Sequence, residues 1–163
     1  MAKKPILTVL IAVILAFTLT SCRSSNTPPD ITDIHKQFLM NKQAIDTVIA
    51  YLIQSEYEDI YISSSDGTMF ADLSEVVLSD EHVISAVEQL LKSANYHNIS
   101  KHGNTISLLQ WKGSKDIGCG IAYSINGTDI PDIQFLTELS AMQEDNWFYY
   151  ISDYNEWLIL ESN

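Results

Sequence analysis

Two cysteines and four histidines are the side chains of this 163-residue chain best suited to covalent or metal chemistry. A thiol beside an imidazole is the usual arrangement of a cysteine nucleophile. Cys119, however, stands between Ile117 and Ile121 in a run that alternates as a strand does, whereas reactive cysteines occupy exposed, electropositive places. We therefore interpret Cys119 as a small buried hydrophobic residue, and the sequence predicts no catalytic residue.

Two of the histidines, His97 and His102, are close enough in sequence to suggest a shared metal ion. They lie five residues apart near opposite ends of one predicted strand and hairpin, so they point to opposite faces of a regular strand. The acidic residues do not have the spacing of a calcium loop, and the glycines do not form a phosphate-binding loop. The sequence thus predicts no metal site and no cofactor.

The other cysteine, Cys22, ends an uncharged stretch of sixteen residues that follows two lysines. Its apolar part, residues 6 to 19, is shorter than the roughly 20 residues that a membrane-spanning helix needs. A basic start, an apolar middle and small polar residues at the end are typical of an export signal peptide. The terminal residues Leu19-Thr20-Ser21-Cys22 resemble the lipobox of bacterial lipoproteins.

The resemblance to bacterial lipoproteins implies that Cys22 receives a lipid and becomes the N-terminus after cleavage. Residues 1–21 would be the signal peptide, residues 22–30 the lipidated cysteine and a polar tether, and residues 31–163 a single domain. The chain would then be anchored to the cell membrane on its exported face, where the lipid provides the membrane contact. Cys119 would have no cysteine left with which to form an intrachain disulfide.

The exported part of the chain is strongly acidic. The whole sequence has 9 basic and 21 acidic side chains, and loss of Lys3 and Lys4 with the signal peptide leaves a formal charge of −14. Such a charge repels nucleic acid and anionic lipid head groups. It is compatible with simple solubility or, more specifically, with a cationic partner, which would be a basic protein, a cationic peptide or a metal ion.

Helical and strand periodicities alternate along the domain. We predict a helix at about residues 31 to 55 capped by Asp30, and a second helix that begins after Ser79 and ends near Asn95. Hairpins are predicted around the turn sequences SSDG and HGN. A short helix is predicted after Pro131, with Phe135, Leu136, Leu139 and Met142 directed inward.

The predicted strand at residues 117–124 has two unequal faces. Large side chains alternate with Gly118, Gly120, Ala122 and Ser124, so one face is nearly bare. A helix, a strong bend of the sheet or a ligand could approach that bare face. Together these elements predict an α+β fold, in which a mostly antiparallel sheet carries two main helices and one short helix.

Six aromatic residues between positions 147 and 157 include the common anchors of binding surfaces. Trp147 and Tyr149 alternate as core residues of a strand covered on both sides, whereas Tyr154 and Trp157 lie at a turn and just after it. We predict Tyr154 and Trp157 as possible partner-binding residues.

Three hypotheses of function follow. The first is a non-enzymatic lipoprotein that binds or shields a partner in the cell envelope, for example as an inhibitor of a basic protein. The second is a small-ligand domain with a pocket at the small-residue face of residues 117–124. The third is an enzyme such as a hydrolase, which is disfavoured because no nucleophile and base can be paired from spacing.

Overall fold

The computed structural model describes residues 27–63, 68–113, 116–127 and 129–155. The predicted signal peptide, Cys22 and Trp157 lie outside these residues. The described part contains three α-helices and an eight-stranded sheet. The helices are α1 (Ile31–Met40), α2 (Lys42–Gln54) and α3 (Glu81–Glu88), which continues into a π-helical turn (Gln89–Ser93). The strands are β1 (Asp59–Ile62), β2 (Thr68–Ala71), β3 (Ser74–Val77), β4 (Asn98–His102), β5 (Thr105–Lys112), β6 (Ile117–Ser124), β7 (Leu136–Ala141) and β8 (Trp147–Asp153).

The helix predicted at residues 31 to 55 is interrupted at Asn41, so it forms α1 and α2. Asp30 caps α1 as predicted, because its carboxylate accepts hydrogen bonds from the backbone N–H groups of Thr32 and Asp33. At Asn41 the backbone leaves the helical region, and the side-chain amide donates to the carbonyl of Gln37 at 2.9 Å. Asparagine competes with helical hydrogen bonding in this way, which explains the interruption.

The second predicted helix is present, but the prediction of Ser79 as its cap is wrong. The cap is Asp80, whose carboxylate accepts from the backbone N–H of His82 at 2.8 Å and from that of Val83 at 3.4 Å. Both residues are good helix caps by type, so the sequence alone could not choose between neighbours.

All strand pairs are antiparallel, and the order across the sheet is β3-β2-β1-β4-β5-β6-β8-β7. Both predicted hairpins are confirmed as β1–β2 and β4–β5. Strand β3 was not predicted, because it follows β2 through a two-residue turn at Asp72 and Leu73 with positive φ angles of 45° and 67°. Turns with positive φ angles are usually marked by glycine or asparagine, and neither residue occurs here. The turn therefore could not be recognised from the sequence.

The short helix predicted after Pro131 is wrong, because this region contains strand β7. Leu136 pairs with Ser152 and Leu139 pairs with Tyr150, with an extra residue bulged between Leu136 and Glu138. The bulge places both leucines on the same face of the strand although they are three residues apart. A spacing of three residues is also typical of a helix, and this explains the error.

The three helices in the described part of the chain pack on one face of the sheet. The hydrophobic core joins helix residues such as Phe38, Val48 and Leu90 to strand residues such as Ile99 and Ile121. Trp147 and Tyr149 belong to this core, as predicted, and the Trp147 ring contacts the edge of Phe38 with centroids 4.8 Å apart. The α+β class with an antiparallel sheet is thus confirmed, and the sheet has a second face that the helices do not cover.

Candidate functional site

The open face of the sheet is polar in its central strands. On β4, Asn98, Ser100 and His102 alternate with Ile99 and Lys101, which point toward the helices and are buried. On β5, Thr105 and Ser107 pair with His102 and Ser100, so they lie on the same open face. The hydroxyls of Ser100 and Ser107 are 2.7 Å apart and form a hydrogen bond. Two neighbouring strands therefore present a surface of hydroxyl, amide and imidazole groups.

The small-residue side of β6 also belongs to the open face, since Cys119 and Ile121 belong to the core on the helix side. Tyr150 of β8 pairs with Gly120 of β6, so its side chain stands on the open face beside the bare position, where it is buried. The large side chain that the structure places beside this bare position of β6 is therefore Tyr150 from the next strand.

Strand β5 also comes close to β6 on this side. A Cβ atom placed on Gly120 would lie 2.0 Å from the carbonyl oxygen of Leu108. The register between β5 and β6 shifts between Leu109 and Trp111, next to this approach, and such irregularities bend a strand locally. Of the three possibilities raised by the sequence, a helix does not cover the bare side, since the described helices lie on the opposite face.

A cleft of about 250 Å³ lies over this open face. Residues 129–135 cross the face as a strap from β5 to the end of β8. The backbone N–H of Asp132 donates to the Thr105 hydroxyl at 2.8 Å, and the carbonyl of Phe135 accepts from the N–H of Asp153 at 2.9 Å. The strap and the sheet line the cleft with Tyr61, Asn98, Ser100, His102, Thr105, Ser107, Leu109, Asp132, Ile133, Gln134, Tyr150, Ser152 and Tyr154.

His102 lies among carboxylates at one end of the cleft. Its Nδ1 atom forms a hydrogen bond with the carboxylate of Asp59, and its Nε2 atom lies 4.0 Å from the carboxylate of Asp132. The hydrogen bond to Asp59, together with the nearby charges of Asp132 and Glu58, raises the pKa of His102 above its usual 6.5. The imidazole is largely exposed, so the three carboxylates surround a group that exchanges protons freely with solvent.

Exposed tyrosines stand at the two ends of the cleft. Tyr61 of β1 is 45 % exposed, and Tyr154, just after β8, is 43 % exposed. Tyr154 also packs against Phe135 of the strap with ring centroids 4.8 Å apart. The prediction that Tyr154 is exposed is confirmed, whereas Trp157 lies outside the described residues and stays a prediction.

Cys119 is fully buried on the helix side of β6, as predicted. Burial away from water raises the pKa of its thiol to about 12. Such a thiol is protonated at neutral pH, and the thiolate is the form that acts as a nucleophile. The position and protonation of Cys119 therefore match a structural role.

Within the described ranges, no group of three or more His, Cys, Asp or Glu side chains is arranged to hold a metal ion. None of the helices in the described part of the chain is both long enough and apolar enough to cross a membrane.

Sequence reasoning missed the cluster around His102. Asp59 and His102 are 43 residues apart, and only the pairing of β1 with β4 places them opposite each other. One signal was available, because Asn98, Ser100 and His102 alternate with apolar or long side chains in the predicted strand. That alternation predicts a polar strand face, although it does not identify the carboxylates that face it.

Comparison of the chain with protein-family models, with curated proteins and with solved structures finds no match.

Proposed function

We propose that this chain is a non-enzymatic bacterial lipoprotein, anchored to the cell membrane by lipid on Cys22, whose domain binds a basic partner on the exported side. The lipobox-like sequence ahead of a polar tether supports the anchor. Tyr149 on the helix side of the sheet donates a hydrogen bond to the carbonyl of Pro29 at 3.0 Å. The end of the tether is thereby held against the domain, so the domain stays near its anchor.

The observation that carries the binding proposal is the open face of the sheet. An antiparallel sheet commonly packs one face on the core and leaves the other to solvent. Here the exposed face carries a cleft that is crossed by a strap and ends in exposed tyrosines, which is more elaborate than a simply solvated surface. Tyrosine is enriched among residues that dominate binding energy at interfaces.

The sign of the charge supports a basic partner. The chain has a formal net charge of −12, and the cleft end near His102 adds the local carboxylates of Asp59 and Asp132. Complementary charge accelerates association and disfavours partners of the wrong sign.

A small molecule in the same cleft is the second candidate. The cleft lies between the strap and the sheet and is lined by polar side chains that can bond to a ligand, which favours this candidate. The volume is at the low end for ligand pockets, and the cleft is open along its length, so we place this candidate second.

The anchor is tested by the mass of the mature chain produced in a bacterial host. We expect an N-terminal Cys22 that carries lipid in the wild type and an uncleaved, lipid-free precursor in Cys22→Ala. Mature wild-type protein without lipid on Cys22 would contradict the anchor.

The binding face is tested in the same cells with a photo-crosslinking amino acid at position 61 on the open face. The matched control carries it at position 53, where Ile53 of α2 is similarly exposed on the helix layer. We expect a crosslinked partner of basic composition only from position 61, and a weaker band at high salt because salt screens exposed charges. Equal crosslinking from both positions, or none from position 61, would contradict the proposal.

A further inference from the structure

The dimensions of the cleft suit an extended chain. The lining runs from Tyr61 on β1, over β4 and β5, to Tyr150 on β8, and β6 lies between the last two strands without contributing to the lining. Strands lie about 4.8 Å apart, so these four spacings correspond to about 19 Å. A fully extended peptide advances about 3.3–3.6 Å per residue, and five or six residues therefore match this length.

The lining offers hydrogen bonds along most of that length. Asn98 and Gln134 present side-chain amides, and the hydroxyls of Ser100 and Ser107, which bond to each other, keep acceptor capacity between the two ends. Side-chain amides and hydroxyls can pair with the backbone N–H and C=O groups of a bound peptide.

Charge distinguishes the two ends of the cleft. None of the described residues that line it is lysine or arginine, and the carboxylates of Asp59 and Asp132 flank His102 at one end. Near the other end an adjoining cleft contains both Lys112 and Asp116, whose opposite charges offset each other. A basic side chain therefore meets uncompensated carboxylates only at the end that contains His102, and its attraction is strongest there.

Tyr61 strengthens this preference. It lies on the same strand face as Asp59, two residues along β1. The face of a tyrosine ring attracts a cation that lies within about 6 Å. A lysine side chain that enters here meets an aromatic face and carboxylates together.

We propose that the open-face cleft binds an extended segment of a basic protein, with a lysine side chain placed among Tyr61, Asp59 and Asp132. This inference rests on the proposed partner-binding function and specifies its ligand. His102 is then an internal competitor, since its protonated ring occupies the same carboxylates that the lysine needs.

The experiment measures peptide binding by NMR titration of the full chain in detergent micelles. The probe is acetyl-Ala-Ser-Lys-Ser-Ala-amide, and its matched control has the uncharged norleucine in place of lysine. We expect saturable shifts of the Tyr61 and His102 ring signals with the lysine peptide only. Equal shifts with the norleucine peptide would overturn the ammonium site.

A matched pair of variants tests which carboxylate attracts the lysine peptide. Asp132→Asn is expected to weaken lysine-peptide binding about threefold, the loss typical of one exposed ion pair. Asp46→Asn removes the same charge from α2, where Asp46 pairs with Lys42, and is expected to leave binding unchanged. Equal losses in the two variants would mean that net charge rather than this cleft attracts the peptide, which overturns the inference.

Binding of butylammonium chloride alone tests whether the cleft prefers an extended peptide to a small amine. Weaker binding of butylammonium than of the peptide, by about tenfold, supports an extended occupant, because only the peptide uses the amides and hydroxyls of the cleft. Equal affinity would overturn the peptide part in favour of a small ligand.

The pH profile provides a readout that a purely structural role of Asp132 would not produce. The groups that face His102 are Glu58 and Asp59 from the β1 side and Asp132 from the strap. Peptide affinity should rise as pH increases through the His102 titration and should lose that dependence in His102→Gln. A pH dependence that persists in His102→Gln would overturn the competition.

The experiments distinguish a failure of the lysine site from a failure of the proposed partner-binding function. Crosslinking from position 61 without any lysine-peptide binding would leave the partner face standing and overturn only the lysine site. Peptide binding without a crosslinked partner would support the lysine site and contradict the partner-binding function.

Discussion

The two faces of this sheet are built from alternate residues of the same strands, yet they differ in almost every physical property. On the helix side, Ile99, Ile106 and Ile121 are fully buried against α1, α2 and α3. On the open side, Ser100, Ser107 and His102 form hydrogen bonds and line a cleft. The helix side therefore supplies stability, and the open side is available for recognition. Substitutions on the two sides should separate these roles.

The largest expected effect is on the helix side. Phe38→Ala removes a fully buried ring that contacts Trp147, and we expect a loss of about 4 kcal/mol in the free energy of unfolding. Urea unfolding of the chain beginning at Ser24 measures this loss.

Phe70→Ala is the matched control on the other side, since Phe70 is 50 % exposed and pairs with Tyr61 across the open face. Its expected cost is below about 1 kcal/mol. Comparable costs for the two phenylalanines would contradict the division of roles between the faces.

The next effect concerns the close approach of β5 to β6. Gly120→Ala places a Cβ atom 2.0 Å from a backbone carbonyl that cannot move without disturbing the strand, and we expect destabilisation of about 3 kcal/mol. In Gly118→Ala the new atom meets the end of the Leu109 side chain at 2.8 Å, and that side chain can rotate away.

We therefore expect a markedly smaller loss for Gly118→Ala in the same unfolding measurement. If both alanine variants have the same free energy of unfolding as the wild type, β5 does not lie this close to Gly120 in solution.

The smallest effect concerns Cys119, which lies on the same strand as these glycines but faces the helices. Cys119→Ser buries a hydroxyl in an apolar site and should cost about 2 kcal/mol, whereas Cys119→Ala should cost about 1 kcal/mol. The thiol should react slowly with a thiol reagent at pH 8, because burial raises its pKa to about 12.

Thermal melts of both variants and a timed thiol reaction of the wild type check this prediction. Rapid labelling of the folded protein, with Cys119→Ser as stable as the wild type, would reopen the question of a catalytic cysteine.

Much of the fold could be predicted from local patterns. The periodicity of the helical segments, the Asp30 cap, two hairpins and the alternation of residues 117–124 are each encoded within a few residues, and the structure confirms them. The errors have local causes as well. The bulge in β7 imitates helical spacing, and the turn at Asp72 and Leu73 lacks the residues that usually mark it.

The sequence by itself also determined the acidity of the chain, the lipobox-like motif at Cys22 and the small-residue side of β6. Only the tertiary structure decided that Tyr150 stands beside Gly120 on that side, that Asp59 meets His102 and that the strap brings Asp132 near His102. The physical reason is that these contacts depend on the register between strands and on a diagonal crossing, which join residues far apart in the chain. Local patterns can assign a side chain to a face, but pairing across the sheet decides which side chains it meets there.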